Sequence, residues 1–134
     1  MKVTRSHRAI SFYGALSLIT GEEIPHICAW QNSEETIKFL EIIKKHYTGK
    51  GVVLLIWDNA SWHKSQIIKD WLRQNPGCIE LMNFPVYSPN LNPQEHVWKL
   101  LKAELSHYIH EYSWKEIKDH ACFFLNTHIF NYSL

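Results

Sequence analysis

A continuous run of six apolar residues, VVLLIW at positions 52–57, limits the folds open to this chain more than any other feature. A run this short cannot cross a membrane, because a membrane helix needs about 20 residues. It has no alternation of apolar and polar side chains, which is typical of a strand buried on both faces of an α/β sheet. The run therefore predicts a central strand rather than a membrane segment.

Strand and helix signals on both sides of this run complete an α/β pattern. Residues 9–19 and 24–30 are rich in β-branched and aromatic side chains and predict an antiparallel hairpin around Thr20-Gly21. Ser33 is a candidate N-cap for a helix that ends near Gly49 and Gly51.

The second half of the chain continues the alternation. It predicts a helix containing Trp71, a strand at residues 79–82, a proline-rich loop at residues 84–93, a helix ending near Leu105, and a helix from a Ser113 capping box to about Ile129. The predicted order is β-β-α-β-α-β-α-α, within a single domain that spans residues 1–134. The tryptophans at helical positions predict core packing rather than base stacking, and they are Trp62, Trp71, Trp98 and Trp114.

Charge does not by itself suggest nucleic acid. The chain has 14 Lys and Arg against 13 Asp and Glu, so its formal net charge is +1, and neither half resembles a basic DNA-binding arm. Residues 1–8 are polar and basic and lack the apolar core of a signal peptide, so we expect a cytoplasmic protein without a membrane segment.

Asp58 stands directly after the central run, where open α/β sheets usually place their functional groups. The segment Trp57-Asp-Asn-Ala-Ser-Trp-His63 brings a carboxylate, an amide, a hydroxyl and an imidazole together at this strand end. A turn aspartate that caps the next segment is the structural alternative for Asp58. For His63 the alternative is a residue that satisfies backbone groups at a helix start.

Glu95 belongs to a second polar cluster, Pro85-Val-Tyr-Ser-Pro-Asn-Leu-Asn-Pro-Gln-Glu-His-Val-Trp98. Pro93 suits the first position of a helix, and Asn92 suits its N-cap. Glu95 could complete a capping box with Asn92, which is its structural alternative. Capping does not explain the stiff loop before Asn92, so we expect that loop to hold the helix start in place.

Two carboxylates on separate elements are suited to a hard divalent cation such as Mg²⁺. Such ions bind oxygen ligands and are usually shared with substrate phosphates, and pairs of them catalyse phosphoryl transfer. Asp58 and Glu95 are too few to hold two ions well. A zinc site at His107 and His110 is disfavoured because the chain has no H-E-x-x-H motif and no cysteine near these residues, and a serine hydrolase is disfavoured because the chain has no G-x-S-x-G motif.

These two motifs, together with Phe12-Tyr-Gly-Ala-Leu16 and Thr20-Gly21 in the hairpin, resemble the catalytic domain of DDE transposases of the Tc1/mariner superfamily, specifically the bacterial IS630 type. The resemblance implies a ribonuclease-H-like fold and cleavage and transfer of DNA strands at transposon ends that depend on Mg²⁺ or Mn²⁺. It assigns Asp58 to the second acid of the metal site and Glu95 to the third, with 36 residues between them. Residues that match positions flanking the site or contacting DNA are Asn59, His63, Tyr87, Ser88 and Asn92.

The first acid of the family has no counterpart here, because none of the residues before Ala9 is acidic. Glu22 and Glu23 follow the hairpin turn, far from where that acid is expected, so we predict that neither replaces it. We therefore expect a fold without its first strand, in an N-terminally truncated domain that is inactive alone.

Two other interpretations remain. In the first, the chain is a non-enzymatic interaction module that forms a homodimer or pairs with a full-length transposase or an upstream fragment through exposed sheet edges. In the second, it is an independent ribonuclease-H-like nuclease, which would require a third carboxylate in the site.

Overall fold

The computed structural model describes residues 1–5, 8–57, 65–83, 92–106 and 112–130. Among these, the strands are β1 (Lys2–Arg5), β2 (Arg8–Leu16), β3 (Glu23–Cys28), β4 (Val53–Trp57) and β5 (Ile79–Asn83). The helices are α1 (Ser33–His46), α2 (Gln66–Gln74), α3 (Pro93–Leu105) and α4 (Trp114–Thr127). The chain divides into two compact units: the first comprises Met1–Ala29 with Pro89–Leu134, and the second comprises Trp30–Ser88. The predicted mixed α/β class is confirmed.

The first unit is an antiparallel sheet in the order β1-β2-β3, packed against α3 and α4. In this sheet Val3 is opposite Ile10, and Phe12 is opposite Ile27. Apolar side chains from the sheet and from both helices form one cluster, which comprises Val3, Ile10, Phe12, Val97, Trp98, Leu101, Leu105, Trp114, Ile117, Ala121, Leu125 and Phe130. Each fully buried Leu, Ile or Phe contributes about 1.5–3 kcal/mol of transfer free energy, so this cluster is the main stabilising feature of the unit.

The turn between β2 and β3 is tied to the chain that follows α4. Gly21 has a φ of 77°, which favours glycine, and its carbonyl oxygen accepts a hydrogen bond from Phe130 N at 2.8 Å. A Cβ atom on Gly21 would lie 2.5 Å from Phe130 O, so a side chain at this position would separate the two segments. This hydrogen bond therefore joins the hairpin turn to the segment that follows α4.

The second unit contains a parallel pair, β4 and β5, in which Trp57 is opposite Asn83, and two helices that contact each other. Leu40, Ile43 and Ile68 are almost completely buried there. Trp71 Nε1 donates to Glu41 Oε1 at 2.7 Å and connects α2 to α1. The helix and the strand predicted after residue 65 are confirmed by α2 and β5.

The prediction that the central run is buried on both faces is wrong. Side chains of β4 alternate, and Leu54 and Ile56 are 55% and 38% exposed. Met82, which is opposite Ile56 on β5, is 52% exposed. The run is apolar on both faces, but only one face is covered, and an apolar run cannot indicate which face a neighbour covers.

A strand precedes the predicted hairpin, and the predicted element order lacked it. In β1, Val3 is buried while Lys2 is exposed. Phe12 N donates to Met1 O at 2.6 Å, and the Met1 amino group donates to Phe12 O at 2.9 Å. The buried Val3 side chain and the backbone pairing with β2 hold this short strand, whose polar composition gives no clear strand pattern. Lys2–Arg5 contains no acidic residue.

The predicted helix limits need small corrections. The cap of α1 is Asn32 rather than Ser33, since Asn32 Oδ1 accepts from Glu35 N at 2.8 Å. The Ser113 capping box of α4 is confirmed, but this helix ends at Thr127. Of the four tryptophans predicted to pack in cores, Trp71, Trp98 and Trp114 are buried, and Trp62 lies outside the described residues.

No helix among the described residues has the length and apolar character that a membrane crossing requires.

Candidate functional site

Glu95 is the third residue of α3, and its side chain is exposed in the first turn of this helix. The N–H groups that begin a helix have no intrahelical partners, and they favour a nearby carboxylate by about 0.3–1 kcal/mol. Because the side chain is exposed, the carboxylate oxygens of Glu95 are available to a cation from solvent. They are presented by a rigid element, the helix, rather than by a loop.

The start of α3 is held by its cap and by the core. Asn92 Oδ1 accepts from Gln94 N at 3.0 Å, which confirms the predicted N-cap, and Pro93 occupies the first helical position in a buried environment. The side chain of Asn92 caps the helix through Gln94 N, so the cap does not depend on the Glu95 carboxylate. This weakens the structural alternative for Glu95.

Asp58 follows Trp57, the last residue of β4, and lies outside the described residues. The same holds for the other predicted positions Asn59, His63, Tyr87 and Ser88, and for the disfavoured zinc candidates His107 and His110. Among the predicted site residues, the structure therefore describes Glu95 and Asn92, and the juxtaposition of Asp58 with Glu95 stays a prediction.

A buried acid lies beside the start of α3. Glu23, the first residue of β3, is 5% exposed, and its Oε1 accepts a hydrogen bond from Gln94 Nε2 at 2.6 Å. Its other oxygen, Oε2, is buried and has no hydrogen-bond partner among the described parts of the chain. Gln94 immediately precedes Glu95, so this bond joins the hairpin to the turn that carries Glu95.

Burial raises the pKa of Glu23 from 4.5 to about 8, and the hydrogen bond from Gln94 opposes this effect only in part. Removing a carboxylate from water costs more than one hydrogen bond returns, so the neutral acid is favoured. Glu23 is therefore protonated at pH 7 and is a poor metal ligand in this state.

Gly14 makes room for this contact. A Cβ atom on Gly14, in the middle of β2, would overlap Glu23 Oε1 and lie 2.5 Å from both Gln94 Nε2 and Trp98 Cη2. The absence of a side chain at Gly14 therefore allows the glutamate and the helix start to meet over the sheet.

Comparison with known proteins identifies the family of this chain. Residues 1–118 match the family described as DDE superfamily endonuclease, and this range contains both predicted motifs. The chain belongs to the DDE superfamily endonucleases. The resemblance to IS630-type and Tc1/mariner DDE transposase catalytic domains is thereby confirmed.

Three relatives of this DDE domain illustrate the match. It is 34% identical over 91 residues to the insertion element IS630 uncharacterized 39 kDa protein of Shigella sonnei, which covers 66% of this chain and 25% of that protein. It is 43% identical over 42 residues to the transposable element Tcb2 transposase of Caenorhabditis briggsae, covering 31% of this chain and 15% of that protein. It is 29% identical over 111 residues to the uncharacterized protein y4pE/y4sA of Sinorhizobium fredii, covering 82% and 78%.

The DDE domain thus spans about a quarter of the IS630 protein and less of the Tcb2 transposase. DDE superfamily endonucleases typically use divalent metal ions. Within the described ranges, no group of three His, Cys, Asp or Glu side chains could hold one. The exposed carboxylate of Glu95 supplies the hard oxygen donors that such an ion prefers, so the described part of the predicted ligand set fits it.

Sequence reasoning missed the link between Glu23 and the start of α3. It placed Glu23 after a turn and judged it only as a replacement for the first acid. Gly14 was the available signal, because a lone glycine inside a strand pattern often marks a close approach by another segment. That signal does not reveal which residues approach.

Proposed function

We propose that this DDE domain takes part in divalent-metal-dependent cleavage and transfer of DNA strands at transposon ends, with a ribonuclease-H-like fold. The observation that carries the proposal is the family match over residues 1–118, which includes both Asp58 and Glu95. The antiparallel sheet of the first unit, the parallel pair of the second unit and their helices are consistent with a nuclease domain of this family.

In this proposal Asp58 and Glu95 are metal ligands. Bound Mg²⁺ or Mn²⁺ would supply Lewis-acid activation of the attacking oxygen and charge stabilisation at the scissile phosphate. Glu95 contributes a carboxylate presented from the first turn of a capped helix, and Asp58, which follows β4 in sequence, contributes another. Asn59, His63, Tyr87, Ser88 and Asn92 are proposed to flank the metal or contact DNA.

The isolated 134 residues are proposed to be inactive, because two carboxylates are too few to hold a metal pair, and because Glu23 is neutral at pH 7. A third acid from another polypeptide segment would complete the site. No described residue is proposed to replace it.

Metal binding tests the ligand assignment without requiring activity. Mn²⁺ titrated into the ¹⁵N-labelled protein is expected to broaden the backbone amide signals nearest Glu95. Glu95→Gln and Asp58→Asn should each weaken Mn²⁺ binding by about tenfold or more, since each removes one of few charged ligands. Glu34→Gln is the matched control, because Glu34 is also an exposed acid in the first turn of a helix. Equal Mn²⁺ affinity in Glu95→Gln and Glu34→Gln would refute the role of Glu95.

DNA nicking tests the proposed inactivity. The purified chain is expected to leave supercoiled DNA that carries the element ends intact in Mg²⁺ or Mn²⁺. Robust nicking that Asp58→Ala abolishes would show that the 134 residues form a complete site and would support an independent nuclease.

A second candidate function is a non-enzymatic module that pairs with a full-length transposase of the same family. The uncovered apolar face formed by Leu54, Ile56 and Met82 favours it, because contiguous exposed apolar side chains often mark interaction surfaces. Co-expression with a full-length transposase followed by size-exclusion chromatography should give a complex that Leu54→Glu disrupts. A monomer that elutes apart from its partner would count against this function, and self-association alone would indicate a homodimer.

A further inference from the structure

The hydrogen bond between Glu23 and Gln94 joins two segments that are far apart in sequence. Glu23 begins β3, and Gln94 is the second residue of α3. The bond is 2.6 Å long, and Gly14 leaves the space in which it forms. The hairpin and the first turn of α3 are therefore connected at one defined point inside the first unit.

This connection requires a large desolvation cost for the stability that it adds to the fold. Glu23 is 5% exposed, and its Oε2 lacks a hydrogen-bond partner among the described residues. A buried polar atom left in this state carries a desolvation cost that no hydrogen bond offsets, and an apolar pair of similar shape often packs as well or better. A buried polar contact whose hydrogen bond does not offset its desolvation cost is better explained by a role in positioning neighbouring residues.

The contact acts on the turn that presents Glu95. Neighbouring residues of a helix point about 100° apart, so Gln94 can face the sheet while Glu95 is exposed. A metal site tolerates ligand displacements of only about 0.5 Å and rotations of 10–20°. Rotation or fraying of the first turn of α3 would exceed these limits.

We propose that Glu23 and Gln94 are positioning residues for Glu95: their hydrogen bond fixes the orientation of the first turn of α3 against the hairpin and thereby sets where the Glu95 carboxylate meets a metal ion. This inference rests on the proposed role of Glu95 as a metal ligand. Glu23 itself does not bind the metal; it acts through Gln94.

The test measures Mn²⁺ affinity by amide line broadening on the full chain. Glu23→Ala and Gln94→Ala are each expected to weaken Mn²⁺ binding about tenfold, in the range found when partners of metal ligands are removed. Glu23→Gln retains a side-chain oxygen that can accept a hydrogen bond from Gln94. Its Mn²⁺ affinity should therefore stay within about twofold of the wild-type affinity. The double variant Glu23→Ala/Gln94→Ala should be no weaker than either single variant, because both act through one bond.

Matched controls separate positioning from general destabilisation. Glu22→Gln alters an exposed acid next to Glu23, and Gln74→Ala alters an exposed glutamine in α2. Neither should change Mn²⁺ affinity. Urea unfolding of every variant identifies any that is not folded, and Gln94→Ala carries the test alone if Glu23→Ala fails to fold.

Two failures are distinguishable. If Glu95→Gln does not weaken Mn²⁺ binding, the proposed function of Glu95 is wrong. If Glu95→Gln weakens it while Gln94→Ala and Glu23→Ala leave it unchanged, the ligand assignment stands and the positioning role is refuted.

Discussion

The two elements that carry the candidate acids are supported differently. Glu95 is presented by α3, whose inward side chains Val97 and Leu101 are completely buried in the first unit. Asp58 follows β4 in the second unit, where Leu54 is 55% exposed. The helix start is thus held by its own unit, whereas the strand has one apolar face without cover in the described residues.

The polar contacts differ in the same way. In the first unit, the bond between Glu23 and Gln94 is buried and involves a neutral acid. In the second unit, Lys44 Nζ donates to Asn75 Oδ1 at 2.6 Å in a partly buried contact between the ends of α1 and α2. The first unit therefore tolerates a costly polar group beside a candidate ligand, whereas this contact of the second unit remains partly exposed.

The largest expected effect is a pH dependence confined to the first unit. Below pH 4.5 Glu23 is protonated in both the folded and the unfolded chain; between pH 4.5 and about 8 only the unfolded chain releases the proton, so stability falls as pH rises. The loss should be on the order of 5 kcal/mol across this window and should level off above it.

Amide hydrogen exchange of Leu101 and Leu125 at several pH values measures this loss in the first unit. Glu23→Gln should remove most of the pH dependence, while Glu22→Gln should retain it. Identical pH profiles for wild type and Glu23→Gln would show that the acid is not held neutral.

The next effect compares two leucines. Leu101→Ala, in the core of the first unit, should lower the free energy of unfolding by about 2–5 kcal/mol because it leaves a cavity. Leu54→Ala, on the exposed face of β4, should cost less than about 1 kcal/mol. Urea unfolding measures both changes, and similar losses would mean that the face of β4 is covered in solution.

The sequence predicted those features that depend on local pattern. The antiparallel hairpin follows from two β-branched runs, the cap of α3 follows from Asn92 and Pro93, and the box at Ser113 was found from its spacing. Each is decided by residues close together in sequence, where propensity and capping chemistry act directly.

Features that depend on distant contacts were missed. The exposed face of β4 could not be predicted. An apolar run shows that both faces of a strand are suited to burial, but it does not show which of them another segment covers. β1 was missed because Val3 stands among polar residues, and such a sequence has no clear strand pattern. Glu23 and Gln94 meet across 71 positions, and no local rule connects them.

Helix caps give a smaller effect and a sharper comparison. Asn92→Ala and Asn32→Ala each remove a side-chain acceptor at a helix start and should each cost about 1 kcal/mol. Only Asn92→Ala should also weaken Mn²⁺ binding, because only α3 carries a candidate ligand in its first turn. Asn92→Ser retains a side-chain acceptor without adding a charge and is the control. A loss of Mn²⁺ affinity in Asn32→Ala would contradict the assignment of the metal to the start of α3.

The smallest expected effect concerns the open face of the second unit. Ile56→Lys places a charge on a side chain that is 38% exposed, and a lysine there can keep its ammonium in water while its stem lies along the sheet. The free energy of unfolding of the purified monomer should change by no more than about 0.5 kcal/mol, as measured by urea unfolding. Ile43→Lys is the comparison, because Ile43 is 1% exposed and a lysine at this position should unfold the unit. If Ile56→Lys destabilises the monomer as strongly as Ile43→Lys does, another part of the chain covers β4 in solution. The contrast between a self-supported helix start and an open strand would then be wrong, and the case for a partner at this face would be lost with it.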